Sequence, residues 1–204
     1  MPRHPYAEAA PRLPEGAAID PRTLVESAGR SLELEIGPGR GGFAFERLAV
    51  SEQICIIGLE IRLKWATIVD RRLREQGLSQ RGRIFAEDAR SAIQRFPDAC
   101  LDTVFVHFPD PWWKKRHAKR LVVGSTLLPP LARTLKQGGQ VFVQTDVAER
   151  ADEYEEEFGN YPEFFAPVNA SARIEENPFG ARSPREHRAM ADGVPIYRLL
   201  YRRV

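Results

Sequence analysis

The sequence predicts an α/β fold in which a doubly wound, mostly parallel sheet of seven strands includes an antiparallel C-terminal edge strand. The first observation is that apolar strand-like runs alternate, from residue 31 to residue 146, with segments whose apolar residues recur at helical spacing. The second is a late strand-like run at 195–203, which follows a polar stretch punctuated by proline and glycine. Alternating strands and helices imply right-handed crossovers and therefore a parallel sheet.

The individual elements follow from local patterns along the chain. Strand-like runs lie at 31–36, 54–60, 83–88, 101–108 and 140–146, and helical patterns lie at 42–50, 61–77 and 120–136. Gly77 is placed to end the second of these helices, and Gly138-Gly139 to end the third. Pro129-Pro130 must start, kink or interrupt the third helix, because proline lacks the N–H that a helix interior requires. The acidic run 149–157 fits the solvated face of a further helix.

The chain of 204 residues is long enough for one core, and we expect a single domain over residues 31–204. Residues 1–30 contain five prolines and little periodic apolar content, which predicts a flexible or loosely docked N-terminal tail. The 30 Lys and Arg residues against 28 Asp and Glu residues give a net charge of +2, which excludes a uniformly basic protein. Binding to nucleic acid would therefore require a local cluster of cations.

The cysteine and histidine positions bear on compartment and metal chemistry. Cys55 and Cys100 lie in separate apolar runs without a C-x-x-C pair, so they predict buried thiols in a reducing compartment. The four histidines are scattered, and their spacing predicts no metal site. The sequence contains neither a run of 18 apolar residues nor an apolar signal core, so a cytoplasmic location without membrane attachment is expected.

A glycine-rich loop follows the first strand, in the stretch EIGPGRGG at 35–42. Glycines there allow a tight turn and close approach of a ligand to the backbone, at the start of the next helix. Gly37, Gly39 and Gly42 satisfy the G-x-G-x-x-G pattern of dinucleotide-binding proteins. The same stretch, with Gly41, also matches the E-x-G-x-G-x-G pattern of enzymes that use S-adenosylmethionine (SAM). The loop alone does not separate the two cofactors.

Three acids at the ends of successive strands favour SAM. Glu60 could bind ribose hydroxyls in either cofactor class, so it does not discriminate. Glu35 precedes the glycine loop and would repel a pyrophosphate, whereas SAM carries an amino group and no phosphate. Asp88 follows the third strand and is placed to accept from the adenine amine, although by itself it also fits a helix N-cap. Together the three acids predict a carboxylate-lined crevice.

The fourth strand leads into the segment HFPDPWWKKRHAKR at 107–120. Asp110 follows the strand beside the predicted crevice, while Trp112 and Trp113 could stack on a base or pack the loop down. Five cations then occur within seven positions: Lys114, Lys115, Arg116, Lys119 and Arg120. Cations oppose the dipole at a helix N-terminus, and a phosphate backbone would relieve that cost. The segment therefore predicts a nucleic-acid-binding surface beside a SAM crevice.

These motifs resemble the bacterial tRNA (guanine-N7-)-methyltransferase family. The resemblance rests on EIGPGRGGF, GLE at 58–60, EDA at 87–89, FPDPWWKKRHAKR, QTD at 144–146 and the ending GVPIYRLLYRR, all in the family's order. It extends from about residue 31 to the C-terminus. The family's T-x-[YF]-E motif corresponds to Ser183-Pro184-Arg185-Glu186, in which Ser replaces Thr and Arg replaces the aromatic residue.

The resemblance implies a role for each matched residue. SAM binding is implied for Glu35, Gly37, Gly39, Gly41, Glu60, Asp88 and Asp110, and Asp110 is also implied at the catalytic centre. Contacts with the target nucleotide are implied for Lys114, Asp146, Ser183 and Glu186. Contacts with the RNA backbone are predicted for the other four cations of the basic segment from their charge, independently of the resemblance. The implied partner is tRNA, methylated at the guanine at position 46 of its variable loop.

Guanine N7 carries a lone pair and no proton, so the predicted reaction is an in-line displacement governed by proximity and orientation, without a general base. Asp110, Asp146 and Glu186 all remain candidates for orienting the guanine or stabilising its developing charge. The alternatives are a SAM-dependent methyltransferase acting on another RNA, a protein or a small molecule, an NAD(P) oxidoreductase, and a non-catalytic RNA-binding module. A monomer and a homodimer are both compatible with the sequence.

Overall fold

The computed structural model describes residues 5–109 and 122–204. The strands are β1 (Ser31–Ile36), β2 (Ile54–Leu59), β3 (Gly82–Phe85), β4 (Leu101–His107), β5 (Leu135–Thr145), β6 (Phe165–Pro167), β7 (Arg173–Ile174) and β8 (Tyr197–Arg203). The helices are α1 (Gly42–Val50), α2 (Leu63–Glu75), α3 (Ala89–Ala92), α4 (Leu128–Thr134), α5 (Ala148–Gly159) and α6 (Pro184–Ala191). Short 3-10 turns occupy Pro21–Thr23 and Ile93–Arg95.

The strands form one sheet in the order β3-β2-β1-β4-β5-β8, and β6 and β7 both pair with the outer side of β8. All pairings among β1 to β5 are parallel, whereas β8 runs antiparallel to β5. The predicted α/β fold, with its mostly parallel sheet and antiparallel C-terminal strand, is confirmed. The parallel order places the carboxyl ends of β1 to β5 along one edge, where ligands bind in open α/β sheets.

The position of β8 differs from the predicted edge. Two short strands cover its outer side, β6 against Tyr201–Arg203 and β7 against Arg198–Leu199, so together they fill a seventh strand position. Leu199, Leu200 and Tyr201 are all buried, which means that both faces of β8 are covered. An antiparallel strand with adjacent apolar residues buried on both faces belongs inside a sheet.

Side chains alternate between two cores, one on each face of the sheet. Val104 and Val106 of β4 join the core formed with α4 and α5, whereas Phe105 joins the core formed with α1 and α2. Strand β1 follows the same alternation, because Leu34 packs in the first core while Glu33 and Glu35 point to the other face. Two acids therefore lie on the buried face that carries α1.

Residues 5–30, which belong to the predicted N-terminal tail, pack against the domain. Ala10, Leu13, Ile19 and Val25 are buried. The Ile19 N–H donates to the Arg95 carbonyl at 2.8 Å, and the Ala86 N–H donates to the Pro11 carbonyl at 2.7 Å. Apolar residues without a helical or strand period carry no local signal, so the sequence did not show that they are buried.

Helix α4 also differs from its prediction. It ends at Thr134, because Leu135 already has the extended backbone of β5. Gly138-Gly139 therefore lies within β5, where the pairing with β4 is irregular, and does not end the helix. Pro129 and Pro130 occupy the first turn of α4, where a missing N–H costs nothing. Within the described part of the chain, no helix is long and apolar enough to cross a membrane.

Candidate cofactor and substrate site

The glycine loop connects β1 to α1 with three residues in left-handed backbone conformations. The φ angles are +72° at Gly37, +55° at Gly39 and +76° at Gly41. A Cβ atom at Gly41 would lie 2.3 Å from Cγ1 of Val69 in α2, so this glycine is required by both conformation and space. The loop consequently packs directly on α2 at the carboxyl edge of the sheet.

Glu60 follows β2 and fixes the shape of the glycine loop. Its Oε2 accepts from the Gly39 N–H at 2.8 Å, and its Oε1 accepts from the Arg62 N–H at 2.9 Å. The side chain is buried. The predicted cofactor acid thus also joins the loop after β1 to the start of α2.

Asp88 follows β3 and caps the short helix α3. Its Oδ1 accepts from the Arg90 N–H at 3.0 Å, and its carboxylate forms an ion pair with the Arg90 guanidinium. Hydrogen bonds from that guanidinium hold the pKa of Asp88 below its usual value, so the carboxylate is charged at neutral pH. About one third of the side chain is exposed, which leaves it accessible to a ligand at this edge.

A buried polar row crosses three neighbouring strands just below the crevice. Glu35 of β1 lies 3.3 Å from Nδ1 of His107 in β4, and His107 is the register partner of Gln144 in β5. Within residues 5–109 and 122–204, four buried atoms of these side chains have no hydrogen-bond partner: Glu35 Oε2, His107 Nε2 and both amide atoms of Gln144. Buried polar atoms are rarely left unpaired, and a free carboxylate oxygen fits a cationic amino group.

Asp146 follows β5 and meets helix α6. Its Oδ2 accepts from Nε of Arg185 at 3.1 Å and from Nη2 of Arg185 at 2.5 Å. The same guanidinium lies over the ring of Phe108, 6.0 Å from the ring centroid. Phe108 directly follows β4 and has a φ of +46°, which is unusual for a bulky residue. These contacts bring the ends of β4 and β5 together with the start of α6.

Ser183 and Glu186 stabilise the start of α6. The Ser183 hydroxyl accepts from the Glu186 N–H at 3.2 Å and caps the helix. Glu186 is fully buried: its Oε2 accepts from Asn177 Nδ2 at 2.9 Å, and its Oε1 accepts from Arg198 Nη2 at 3.0 Å. Both oxygens are therefore engaged below the surface, where Glu186 anchors the start of α6.

The residues predicted to bind the cofactor, around the glycine loop, and those predicted to bind the substrate, around α6, meet at the start of helix α1. A Cβ atom at Gly42 would lie 2.4 Å from Cγ of Pro184, so the starts of α1 and α6 are in direct contact. The sequence prediction did not identify His107 or Gln144 as part of the site. Their position on the same face as Phe105 and Phe142, at the carboxyl ends of β4 and β5, is the signal that could have indicated them.

One group of predicted site residues lies outside the described residues: Asp110, Lys114, Lys115, Arg116, Lys119 and Arg120, together with Trp112 and Trp113. The described chain stops at Pro109, directly after β4, and resumes at Val122. Pro109 therefore lies at the carboxyl end of β4, on the same side of the sheet as the glycine loop and Asp146. In residues 5–109 and 122–204, no group of three or more His, Cys, Asp or Glu side chains could hold a metal ion.

Comparison with known proteins identifies methyltransferases as relatives of this chain. A family model described as "Putative methyltransferase" matches residues 29–199. A tRNA (guanine-N(7)-)-methyltransferase from Synechococcus sp. (strain JA-3-3Ab) is 36% identical over 170 residues, which cover 83% of this chain and 71% of the relative. A protein of the same name from Microcystis aeruginosa is 35% identical over 174 residues, covering 84% and 82%.

Solved structures with a similar fold are more distant in sequence. TrmN from Thermus thermophilus superimposes with a TM-score of 0.60 at 17% identity, covering 88% of this chain and 46% of the other. A SAM-dependent O-methyltransferase from Thermotoga maritima gives a TM-score of 0.56 at 19% identity, covering 88% and 62%. At these identities the likeness concerns the fold alone.

Proposed function

The chain belongs to the tRNA (guanine-N7-)-methyltransferase family, and on that premise we propose that it transfers the methyl group of SAM to N7 of a guanine in tRNA. The observation that carries the proposal is the joining of two sites at one edge of the sheet. The acidic crevice of Glu35, Glu60 and Asp88 suits a cationic donor, and the neighbouring Asp146 suits a base with N–H donors. We assign the target to the guanine at position 46 of the variable loop.

The residues at the crevice fit SAM. The free Oε2 of Glu35 suits the amino group of the methionine part, and the turns at Gly37, Gly39 and Gly41 allow close approach to the backbone. Glu60 is assigned to the ribose by the family resemblance, through the lone pairs that its contacts with Gly39 and Arg62 leave open, and Asp88 is assigned to the adenine amine. When bound, SAM supplies a methyl group on a positively charged sulfur.

The chain has to orient the guanine and does not need to remove a proton from it. N7 carries a lone pair, so alignment with the methyl carbon is the main requirement, and effective concentration supplies much of the rate. The base gains positive charge as the bond forms, which favours a nearby carboxylate. Asp110 is the proposed catalytic residue, because it follows β4 in the sequence at the edge shared by both sites.

The basic segment is the proposed contact with the tRNA backbone. Lys114 is assigned to the target nucleotide, and Lys115, Arg116, Lys119 and Arg120 are assigned to phosphates. Arginine and lysine bind phosphate oxygens and release counterions, so affinity should fall as salt rises. N7 is accessible in RNA where the base is loosely stacked, as in a loop.

The test is methylation of a defined tRNA transcript with labelled SAM, followed by mapping of N7-methylguanine along the chain. We expect one modified guanine, in the variable loop, and loss of the signal when that guanine is changed to adenine. An Asp110→Ala variant should bind tRNA with nearly normal affinity but lose methyl transfer in single turnover. Modification at a different nucleotide, or none with any tRNA, would overturn the proposal.

A further inference from the structure

The ion pair between Arg185 and Asp146 leaves specific hydrogen-bonding atoms free at the substrate side of the site. Both contacts from Arg185 go to Oδ2 of Asp146. Among the described residues, Nη1 of Arg185 and Oδ1 of Asp146 have no hydrogen-bond partner. The Arg185 side chain is 58% exposed and that of Asp146 is 16% exposed. An unpaired donor and an unpaired acceptor of one ion pair therefore remain at the site.

The structure holds this pair in place from below. The ring of Phe108 lies under the guanidinium, and the Phe108 N–H donates to the Gln144 carbonyl at 2.8 Å. Positive φ at a bulky residue is costly and persists where surrounding contacts enforce it, which occurs often at binding sites. The guanidinium is thus packed on an aromatic ring and fixed at its edge by a carboxylate, which restricts its orientation.

The neighbouring acid does not compete for this role. Glu186 is fully buried and both its oxygens are bonded, to Asn177 and Arg198. Among the described acids of the 183–186 segment and the end of β5, only Asp146 retains a free oxygen near the surface. The base-reading carboxylate on this side is therefore Asp146, with Arg185 beside it.

The donor and acceptor match one edge of guanine. The Watson–Crick edge of guanine carries the acceptor O6 followed by two donors, N1–H and the N2 amine, whereas adenine presents a donor at position 6 and an acceptor at N1. An arginine beside an aspartate complements guanine and not adenine. N7 lies on a different edge and stays open to the methyl donor.

Building on the proposed function, we propose that Arg185 is a specificity residue that donates to O6 of the target guanine while Asp146 accepts from N1–H and N2. The family resemblance predicts an aromatic residue at position 185. This chain has Arg185 there, and Arg185 and Asp146 together form the proposed pair that recognises guanine. Arg185 adds a charged donor for O6, which phenylalanine lacks and which tyrosine would offer only as a neutral hydroxyl.

The test combines protein variants with tRNAs that carry guanosine or 6-thioguanosine at the target position. Sulfur is a weak hydrogen-bond acceptor, so the wild-type protein should lose about tenfold in kcat/KM on the thio substrate. Arg185→Gln should be about tenfold slower on guanosine and should treat the two tRNAs alike. Because sulfur also alters N7 itself, the quantity compared is the ratio of the two rates in each protein.

Matched variants separate O6 recognition from other roles. Arg185→Lys keeps the charge and should retain part of the discrimination, while Arg71→Gln, the same change at an exposed arginine of α2, should leave both rates unchanged. Asp146→Asn should remove the penalty for a tRNA that carries inosine, which lacks N2, at the target. Each variant is compared after its thermal midpoint and SAM affinity have been measured.

Two results would overturn the inference. If Arg185→Gln keeps the wild-type ratio between the two tRNAs, Arg185 does not contact O6. If it instead raises KM equally for both and flattens the salt dependence, the residue contacts a phosphate. Neither result would affect the proposed function, which fails only if the wild-type protein methylates no tRNA guanine at N7.

Discussion

Glu33 and Glu35 occupy alternate positions of β1 and are both buried, yet their surroundings differ. Glu33 forms two hydrogen bonds with the Arg47 guanidinium, at 2.8 and 2.7 Å. Burial raises the pKa of Glu33, and Arg47 opposes that shift. Among the described residues, Glu35 contacts His107 through one oxygen, and its second oxygen has no hydrogen-bond partner. Both oxygens of Glu33 are hydrogen-bonded within the fold, whereas the second oxygen of Glu35 can still accept a hydrogen bond from a ligand.

This contrast gives a prediction with an internal control. Glu35→Gln should weaken SAM binding about ten- to hundredfold, because a charged hydrogen bond to the amino group is lost, with little change in thermal midpoint. Glu33→Gln should instead lower stability by about 3 kcal/mol, since Arg47 loses a charged partner in a buried site, with SAM affinity nearly unchanged. Calorimetric titration with SAM and thermal unfolding measure both. Identical behaviour of the two variants would contradict the assignment.

The glycine loop gives a second prediction at the residue scale. Gly41→Ala should cost about 1–2 kcal/mol for its left-handed backbone and a further ~1–3 kcal/mol for the contact with Val69, and should weaken SAM binding. Gly138→Ala is the control, because Gly138 has almost the same φ, +75°, with no atom within 4 Å of the added carbon.

The Gly138→Ala substitution should lower the free energy of unfolding only by the cost of the left-handed backbone, and denaturant unfolding measures this. Adding Val69→Ala to Gly41→Ala should recover part of the SAM affinity by making space for the new methyl group. If the two alanine variants lose equal stability, the packing of the loop on α2 is not what requires Gly41.

At the scale of elements, α6 is held by polar contacts that reach across the sheet. Arg198 of β8 donates to Glu186 of α6 and to the Glu175 carbonyl, while Asn177 donates to Glu186 and to the Ala181 carbonyl. The pair of Glu186 and Arg198 is almost entirely buried. Buried ion pairs add little net stability but position elements, and breaking one is costly. The position of the substrate side therefore depends on this contact.

We predict that Glu186→Ala destabilises the protein by about 3–5 kcal/mol, because the buried Arg198 loses its partner. A double variant, Glu186→Met with Arg198→Met, should recover much of that stability and should still methylate tRNA. Thermal unfolding and a methylation assay below the transition temperature measure the two effects. A stable double variant without activity would show that Glu186 contacts the substrate directly.

Over the whole molecule, the sequence correctly predicted those helices and strands that have a hydrophobic pattern within a short stretch of chain. Strand β1 and helix α1 have the predicted bounds, because alternation and helical spacing are visible within a few residues. Helix α6 and the packed segment 5–30 were not predicted, because their positions depend on contacts such as Ala86 with Pro11, far apart along the chain. The pair of Arg185 and Asp146 joins residues 39 positions apart, and no local pattern indicates it.

The two cysteines report on the stability of the whole fold. Burial raises the pKa of Cys55, and it raises the pKa of Cys100 to about 11 from a usual value near 9. Both groups should remain thiols at pH 8, so a thiol reagent should label them only through unfolding. Because the folded pKa of Cys100 is the higher one, its contribution to stability is present below about pH 9 and is lost as pH rises through about 11. The contribution of Cys55 is lost in the same direction as pH rises. Rapid labelling of the native protein at pH 8 would contradict this.

Nearly balanced net charge means that attraction to tRNA requires a local cluster of cations, and we propose that the basic segment at 114–120 supplies it. Replacing Lys114 and Lys115 together by alanine should weaken tRNA binding and lower the slope of log affinity against log salt by about 1.5–2, since each phosphate contact contributes about 0.9. Lys136→Ala is the matched control. Lys136 is paired with Asp102 at 2.7 Å at the start of β5, on the sheet edge opposite the site, so its removal should leave the slope unchanged. Filter binding of tRNA over a series of salt concentrations measures the slope.

An equal slope in the double variant and the wild-type protein would place the RNA backbone away from this segment.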